Sequence, residues 1–326
     1  MHHSSLSVNP HAISIITNPR PGAGGFVRVR AFSKINLILE VLYKRLDRYH
    51  ELKSIMQTLA LHDTLEIRKS NDFRLTCTNP RLPTDGSNLV TRAAKHILQE
   101  CNINQSVHIH LVKRIPVSAG LAGGSANCAA TLIGINALFG LNIPLYGEGL
   151  SLMQLGRSFG ADVPFCIVGG TALAEGIGEK ITPLPSHPHT WVLLACPVIP
   201  VSTADIFSRF VTSSAYSTVK ALEETLNDCD VIPNHCNITA MKKALANKDI
   251  VQIAANFSNN LAHITANIHP VINILIDEMK TQGAIAAAMS GSGPSVYGYF
   301  SNKETAKKAK ENLKHITGRI FLTKVL

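Results

Sequence analysis

From Val27 the run V-R-V-R-A-F-S-K-I-N-L-I-L-E-V-L alternates apolar and polar positions and predicts a long strand. The segments L-A-L-H-D-T-L-E-I-R from Leu59 and S-V-H-I-H-L-V from Ser106 repeat the same period of two and predict two more. Between them, S-N-L-V-T-R-A-A-K-H-I-L-Q-E-C from Ser87 sets Leu89, Val90, Ala93, Ala94, Ile97, Leu98 and Cys101 on one stripe of a helix behind a Ser or Asp cap. A further helix is predicted over S-A-N-C-A-A-T-L-I-G-I-N-A-L-F from Ser125. Beyond T-P-L-P-S-H-P-H at Thr182 the pattern turns more helical: around Lys242, over residues 251–262, from His269, and over residues 302–315 after a short strand. Strands and helices mix without a regular beat, so the expected class is α+β. The proline cluster puts a domain boundary near residue 186, giving domains 26–185 and 186–326 after a flexible tail over residues 1–25.

Composition narrows the class. The chain has 326 residues, 45% of them hydrophobic and 16% charged, enough for two domains of ordinary size and unlike a disordered segment. No apolar run reaches the roughly 18–20 residues a membrane span requires, so no membrane association is expected. The formal charge of +9 is spread over Arg28 and Arg30, Lys44 and Arg45, Lys113 and Arg114, and a basic stretch over residues 303–314. With no aromatic platform interleaved, a nucleic-acid partner is not expected, whereas a small, multiply anionic ligand suits the excess. Seven cysteines form no C-x-x-C pair and read as buried, reduced thiols of a cytoplasmic protein. Cys229 and Cys236 near His235 match no zinc spacing. The tail lacks Asp and Glu, and a plastid-type transit peptide is its alternative reading although Arg is sparse there.

The segment P-V-S-A-G-L-A-G-G-S-A-N-C-A-A from Pro116 packs three glycines and five alanines together with no acidic, basic or aromatic residue. It joins a predicted strand to a predicted helix, and unpaired amides at a helix start make an anion site wherever glycine lets the backbone approach closely. Neither G-x-x-x-x-G-K-[ST] nor G-x-G-x-x-G occurs anywhere in the chain. The plain alternative is that these small residues let a helix lie close to a sheet.

The glycine segment resembles the signature of the GHMP small-molecule kinases. Other blocks resemble the same family: S-K-I-N-L-I-L-E-V-L-Y-K-R-L-D-R-Y-H-E-L from Ser33, G-A-D-V-P-F from Gly160, A-E-G-I-G-E from Ala174 and M-S-G-S-G-P-S-V-Y-G from Met289. The resemblance runs in order from about residue 27 to 300. It implies a two-domain α+β fold, ribosomal-protein-S5-like at the N-terminal side and ferredoxin-like at the C-terminal side. The block around Tyr49-His50 is similar to the branch that phosphorylates a cytidyl diphosphate alcohol with ATP and Mg²⁺. Arg48 and Ala122 depart from the pattern by standing where glycines are usual, and N-N-L-A-H from Asn259 stands where an N-D-L-E-like stretch is frequent.

Carried onto this chain residue by residue, the resemblance makes Asp162 the general base. Local sequence alone gives a helix-cap or turn Asp equal standing, since Asp162 lies among small and apolar residues. Lys34, in an apolar strand, becomes its catalytic partner. Asn36, two positions on and so on the same strand face, becomes a substrate contact, where a satisfied buried amide is the alternative. Tyr49 and His50 become cytosine contacts, with Phe207 a candidate for the other side of the ring. ATP would meet Asn88, Lys113, Pro116, Gly120, Leu121, Ala122, Gly123, Gly124, Ser125 and Ala126. No acidic cluster announces a metal cage, and metal-binding residues are left unassigned. The expected assembly is a monomer or weak homodimer.

Overall fold

The computed structural model describes residues 15–18, 25–147, 149–213 and 237–326, so Cys229, His235 and Cys236 lie outside the described residues. Strand β1 (Ile15–Asn18) falls inside the segment expected to be a tail and pairs antiparallel with the start of β2 (Phe26–Lys44), Ile15 opposite Val29. Strand β3 (His50–Ser70) returns beside β2 and begins well before Leu59. Ser54, Gln57 and Thr58 are buried there, so burial continues where hydrophobic alternation stops. The chain then forms β4 (Arg74–Cys77), α1 (Leu89–Glu100), β5 (Ser106–Val112), α2 (Gly123–Phe139), α3 (Leu152–Arg157) and α4 (Asp162–Val168).

Two compact units interleave along the sequence: of the described residues, one holds those up to Lys34, Ala60–Val117 and Ala122–Gly170, the other Ile35–Leu59, Ser118–Leu121 and those from Thr171. In the first, β3 pairs antiparallel with β5 from Thr64 opposite Val112 to Ser70 opposite Ser106, and β4 joins β5 in parallel. Val27, Val29, Leu65, Ile67, Val107, Ile109 and Leu111 form its buried sheet face. Helix α1 buries Val90, Ala93, Ala94, Ile97 and Leu98 of the predicted stripe and leaves Leu89 and Cys101 half-buried; its cap is Asn88, not the expected Ser or Asp, because the Asn88 side chain reaches the Val90 amide while Asp85 is occupied by Ser87. Helix α2 is buried from Ala126 through Ile135. At Gly134 an added Cβ would come within 2.5 Å of Ile67 Cδ1, so here the small residue does serve close helix–sheet approach.

The second unit adds β6 (Thr171–Gly176), β7 (Lys180–Pro183), β8 (Trp191–Ala195), α5 (Thr203–Ser213), α6 (Ile238–Ala246), α7 (Ile250–Ala255), β9 (Ser258–Asn259), α8 (Ala262–Ile268), α9 (Val271–Thr281), β10 (Ala286–Met289), β11 (Val296–Phe300), α10 (Lys303–Asn312) and β12 (Ile320–Lys324). Strand β6 pairs with the Leu52–Gln57 part of β3, and an antiparallel sheet of order β10-β11-β8-β12 buries Leu193, Met289, Val296 and Phe300 with Ile272, Leu275 and Met279 of α9. The single helix expected over residues 251–262 is broken in two. Ser258 and Asn259 are drawn into a parallel pairing with Ile38 and Leu39 of β2, and the Asn260 side chain bonds both the amide and the carbonyl of Val41. The α+β expectation stands: one sheet is antiparallel and the other mainly so, which explains the absence of a β-α-β beat.

Candidate active site

In the first unit, Lys34 and Asp162 meet although they are far apart in sequence. Lys34 ends that unit's share of β2 with only 5% of its side chain exposed, held in a strand whose neighbour Ser33 bonds the Leu61 carbonyl across the sheet. Asp162 opens α4, and its Oδ2 lies 3.6 Å from Lys34 Nζ with 32% of the side chain exposed. The structure therefore makes Asp162 the first helical residue, with Ala161 in the cap position, and turns its carboxylate to a lysine. A partly open carboxylate beside a buried ammonium can take a proton while the cation steadies developing negative charge. One helical turn on, Cys166 is buried, and burial, with a smaller push from Asp162, moves its thiol well above the usual range. It is not a nucleophile at neutral pH.

The start of α2 belongs to the same unit. Ala122 occupies the cap position at φ 55° with no side-chain cap, so no side-chain oxygen competes for the amides of Gly123, Gly124 and Ser125, while Ala126 N reaches back to Ala122 O at 2.8 Å. Gly124 is exposed and Ser125 half-buried. Asn88 uses its Oδ1 to cap α1 and its Nδ2 to bond the Pro83 carbonyl at 2.6 Å, which leaves its role local. Lys113, expected to face the nucleotide, directs its ammonium to the fully buried carboxylate of Asp63. The same carboxylate accepts the amides of Arg114 and Ile115 and the side-chain amide of Asn127. Asp63 was missed, yet a signal was there: it stands on the buried parity of β3 in line with Leu59, Leu65 and Ile67.

The remaining candidates lie in the second unit. Gly120 has φ 71°, and a Cβ there would meet the carbonyl oxygens of Ser290 and Gly293 at 2.6 and 2.9 Å, so only glycine fits against this third glycine segment. Ser290 Oγ donates to the Gly120 carbonyl, and Asn259 Nδ2 bonds the carbonyls of Met289 and Gly291. Leu121 is buried and Pro116, in the first unit, is half-buried. Asn36 is buried, its Nδ2 donates to Ser54 Oγ at 2.8 Å, and its backbone carbonyl accepts from Tyr297 Oη at 2.9 Å. The satisfied-amide reading of Asn36 thus describes its nitrogen.

His50 and Phe207 come together, their ring centres 5.2 Å apart, whereas Tyr49 is 60% exposed. His50 Nε2 is buried without a hydrogen-bond partner among the described residues. Burial, helped by Lys44, holds the His50 pKa below the ordinary value, so the imidazole is neutral at pH 7. A neutral ring with one unmet nitrogen beside an aromatic wall can read the polar edge of a planar heterocycle. Among the described residues no group of three or more His, Cys, Asp or Glu is arranged to hold a metal ion, and no helix is long and apolar enough to cross a membrane.

Comparison with known proteins gives two family matches, GHMP kinases N terminal domain over residues 88–170 and GHMP kinases C terminal over residues 241–318. A 4-diphosphocytidyl-2-C-methyl-D-erythritol kinase of Caldicellulosiruptor bescii is 43% identical over 299 residues, 91% of this chain and 97% of that protein. The protein of the same name from Acetivibrio thermocellus is 40% identical over 301 residues, 92% of this chain and 99% of the other. A crystal structure of 4-(cytidine 5'-diphospho)-2C-methyl-D-erythritol kinase superposes with a TM-score of 0.72 at 28% identity, covering 91% of this chain and 98% of that one.

Proposed function

The chain belongs to the 4-diphosphocytidyl-2-C-methyl-D-erythritol kinases of the GHMP family, and from that premise we propose that it transfers the γ-phosphoryl group of ATP to the 2-hydroxyl of that alcohol, a step of the non-mevalonate isoprenoid route. The observation that carries the mechanism is the Lys34–Asp162 pair. Asp162 takes the proton of the 2-hydroxyl as its oxygen bonds the γ-phosphorus, the bond from that phosphorus to the β–γ bridging oxygen breaks, and ADP leaves. Lys34, 3.6 Å from Asp162, offsets negative charge on the attacking oxygen. The uncapped amides of Gly123, Gly124 and Ser125 receive phosphate oxygens.

Ser125, at the start of α2, would offer its hydroxyl to magnesium brought in on the nucleotide, and the ion would supply neutralising charge to the phosphates. His50 reads the cytosine edge with Phe207 against the ring and Tyr49 at the rim, and Asn36 lines the substrate side. The buried thiols of Cys128, Cys166 and Cys196 accord with a cytoplasmic setting.

The test is ADP release with Mg-ATP and the cytidyl diphosphate alcohol beside homoserine and mevalonate. Turnover confined to the cytidyl substrate supports the reading, and turnover with another alcohol overturns the roles given to His50 and Phe207. Asp162→Asn should abolish turnover while nucleotide affinity stays within about threefold, the separation expected of a group that acts on the proton alone.

A further inference from the structure

One buried carboxylate gathers both ends of the connection that leads into α2. Asp63 Oδ1 accepts the amides of Arg114 at 2.6 Å and Ile115 at 2.8 Å, where the chain leaves β5. Its Oδ2 accepts the Lys113 ammonium and, at 2.8 Å, Nδ2 of Asn127 in the second turn of α2. Four donors fill the acceptor sites of a carboxylate, and the group is fully buried. The same residues form the floor of the helix start: a Cβ at Gly123 would stand 2.9 Å from Lys113 Nζ and 3.0 Å from Ile115 Cγ2. Gly123 thus rests directly on two side chains whose positions Asp63 sets.

We infer that Asp63 is a positioning residue for the nucleotide: through Lys113, Ile115 and Asn127 it fixes the height and direction of the first amides of α2. Lys113 then acts as the prop beneath Gly123, its charge taken up by Asp63 and not by a phosphate. The inference rests on the reading of Ala122–Ala126 as the phosphate cradle. It makes a pattern that a fold-stabilising carboxylate alone would not: damage confined to the nucleotide, and repair by removing the charge from both partners.

The experiment compares full-length wild type with Asp63→Asn, Asp63→Asn/Lys113→Gln and Asn127→Ala, by steady-state kinetics in both substrates and calorimetric titration with Mg-ADP. Asp63→Asn should raise the KM for ATP about tenfold or more, the worth of hydrogen bonds to a charged group, with the KM for the cytidyl alcohol held within about twofold. The double variant should recover much of that loss, because two side-chain amides bond each other without a stranded buried charge. Asn127→Ala, which leaves the ion pair in place, should raise the ATP KM several-fold. An unchanged ATP KM in Asp63→Asn overturns the proposal, as does a double variant weaker than the single, which would make the Lys113 ammonium a phosphate ligand. If Asp63→Asn does not fold, Asn127→Ala decides by the same criterion. Should wild type bind Mg-ADP but phosphorylate no cytidyl alcohol, the functional reading fails while the Mg-ADP affinities still judge Asp63; wild type that binds no Mg-ADP overturns both.

Discussion

Arg48 and Ala122 both adopt left-handed backbone, at φ 71° and 55°, so the two positions where the family pattern favours glycine do carry that demand here. A Cβ in this region costs about 1–2 kcal/mol, partly offset by the greater freedom glycine has in the unfolded chain. Arg48→Gly and Ala122→Gly should each stabilise the protein by about 0.5–1 kcal/mol in urea unfolding, without loss of turnover. His50 makes a different demand. Its Nε2 is buried with no partner, and replacing it by Ala should raise the KM for the cytidyl alcohol about tenfold or more while the KM for ATP stays put. Asn260 shows why one departure from the family pattern is well suited to its place: it bonds both Val41 N and Val41 O, a task that needs a donor and an acceptor on one side chain.

The connection from β5 to α2 and the helix itself use glycines with different duties. Gly134 lets α2 approach the sheet, Gly123 makes room for Lys113, and Gly120 is pressed against two carbonyl oxygens at positive φ. Gly120→Ala adds a backbone clash to the conformational cost and should destabilise by at least about 2 kcal/mol, read as a fall in Tm and in soluble yield. These elements were legible where one face of the chain is apolar: β5, α1 and the start of β2 follow their periodicity, whereas α2 is buried all round and was marked by its apolar run. The glycine connection was legible because bare backbone is rare. Legibility failed where polar groups are buried in company. Asp63 sits on an inward parity that a period-two reading notes as an exception without naming its four donors, and the break in the helix expected over 251–262 comes from asparagine–backbone bonds to strands distant in sequence. Lys34 and Asp162 each looked ordinary locally; the resemblance made them partners, and the fold brings them to 3.6 Å of one another.

At the scale of the molecule, buried histidines tie stability to pH. His50, His62, His108 and His187 all have pKa values below the ordinary one, burial being the first cause in each case. His187 is the extreme, lowered to about 4, with Nε2 unpartnered and its ring edge-on to buried Tyr299. A lowered histidine leaves the unfolded chain binding protons first. The stability tied to His187 is therefore intact above pH 6.5 and lost as the pH falls toward 4, about 3 kcal/mol across that window. Unfolding midpoints in urea should hold between pH 8 and 7 and drop steadily from pH 6.5 downward, and His187→Gln should flatten part of that drop. The interleaving of the two units reaches further, into how the protein is made. Residues 35–59 leave the ribosome early but belong with strands and helices from Thr171 onward. At about 5–20 residues per second, that apolar stretch waits several seconds for the β6 edge it will pair with. During that wait it is a natural client for a chaperone, and its rate of translation bears on yield as directly as its final stability does.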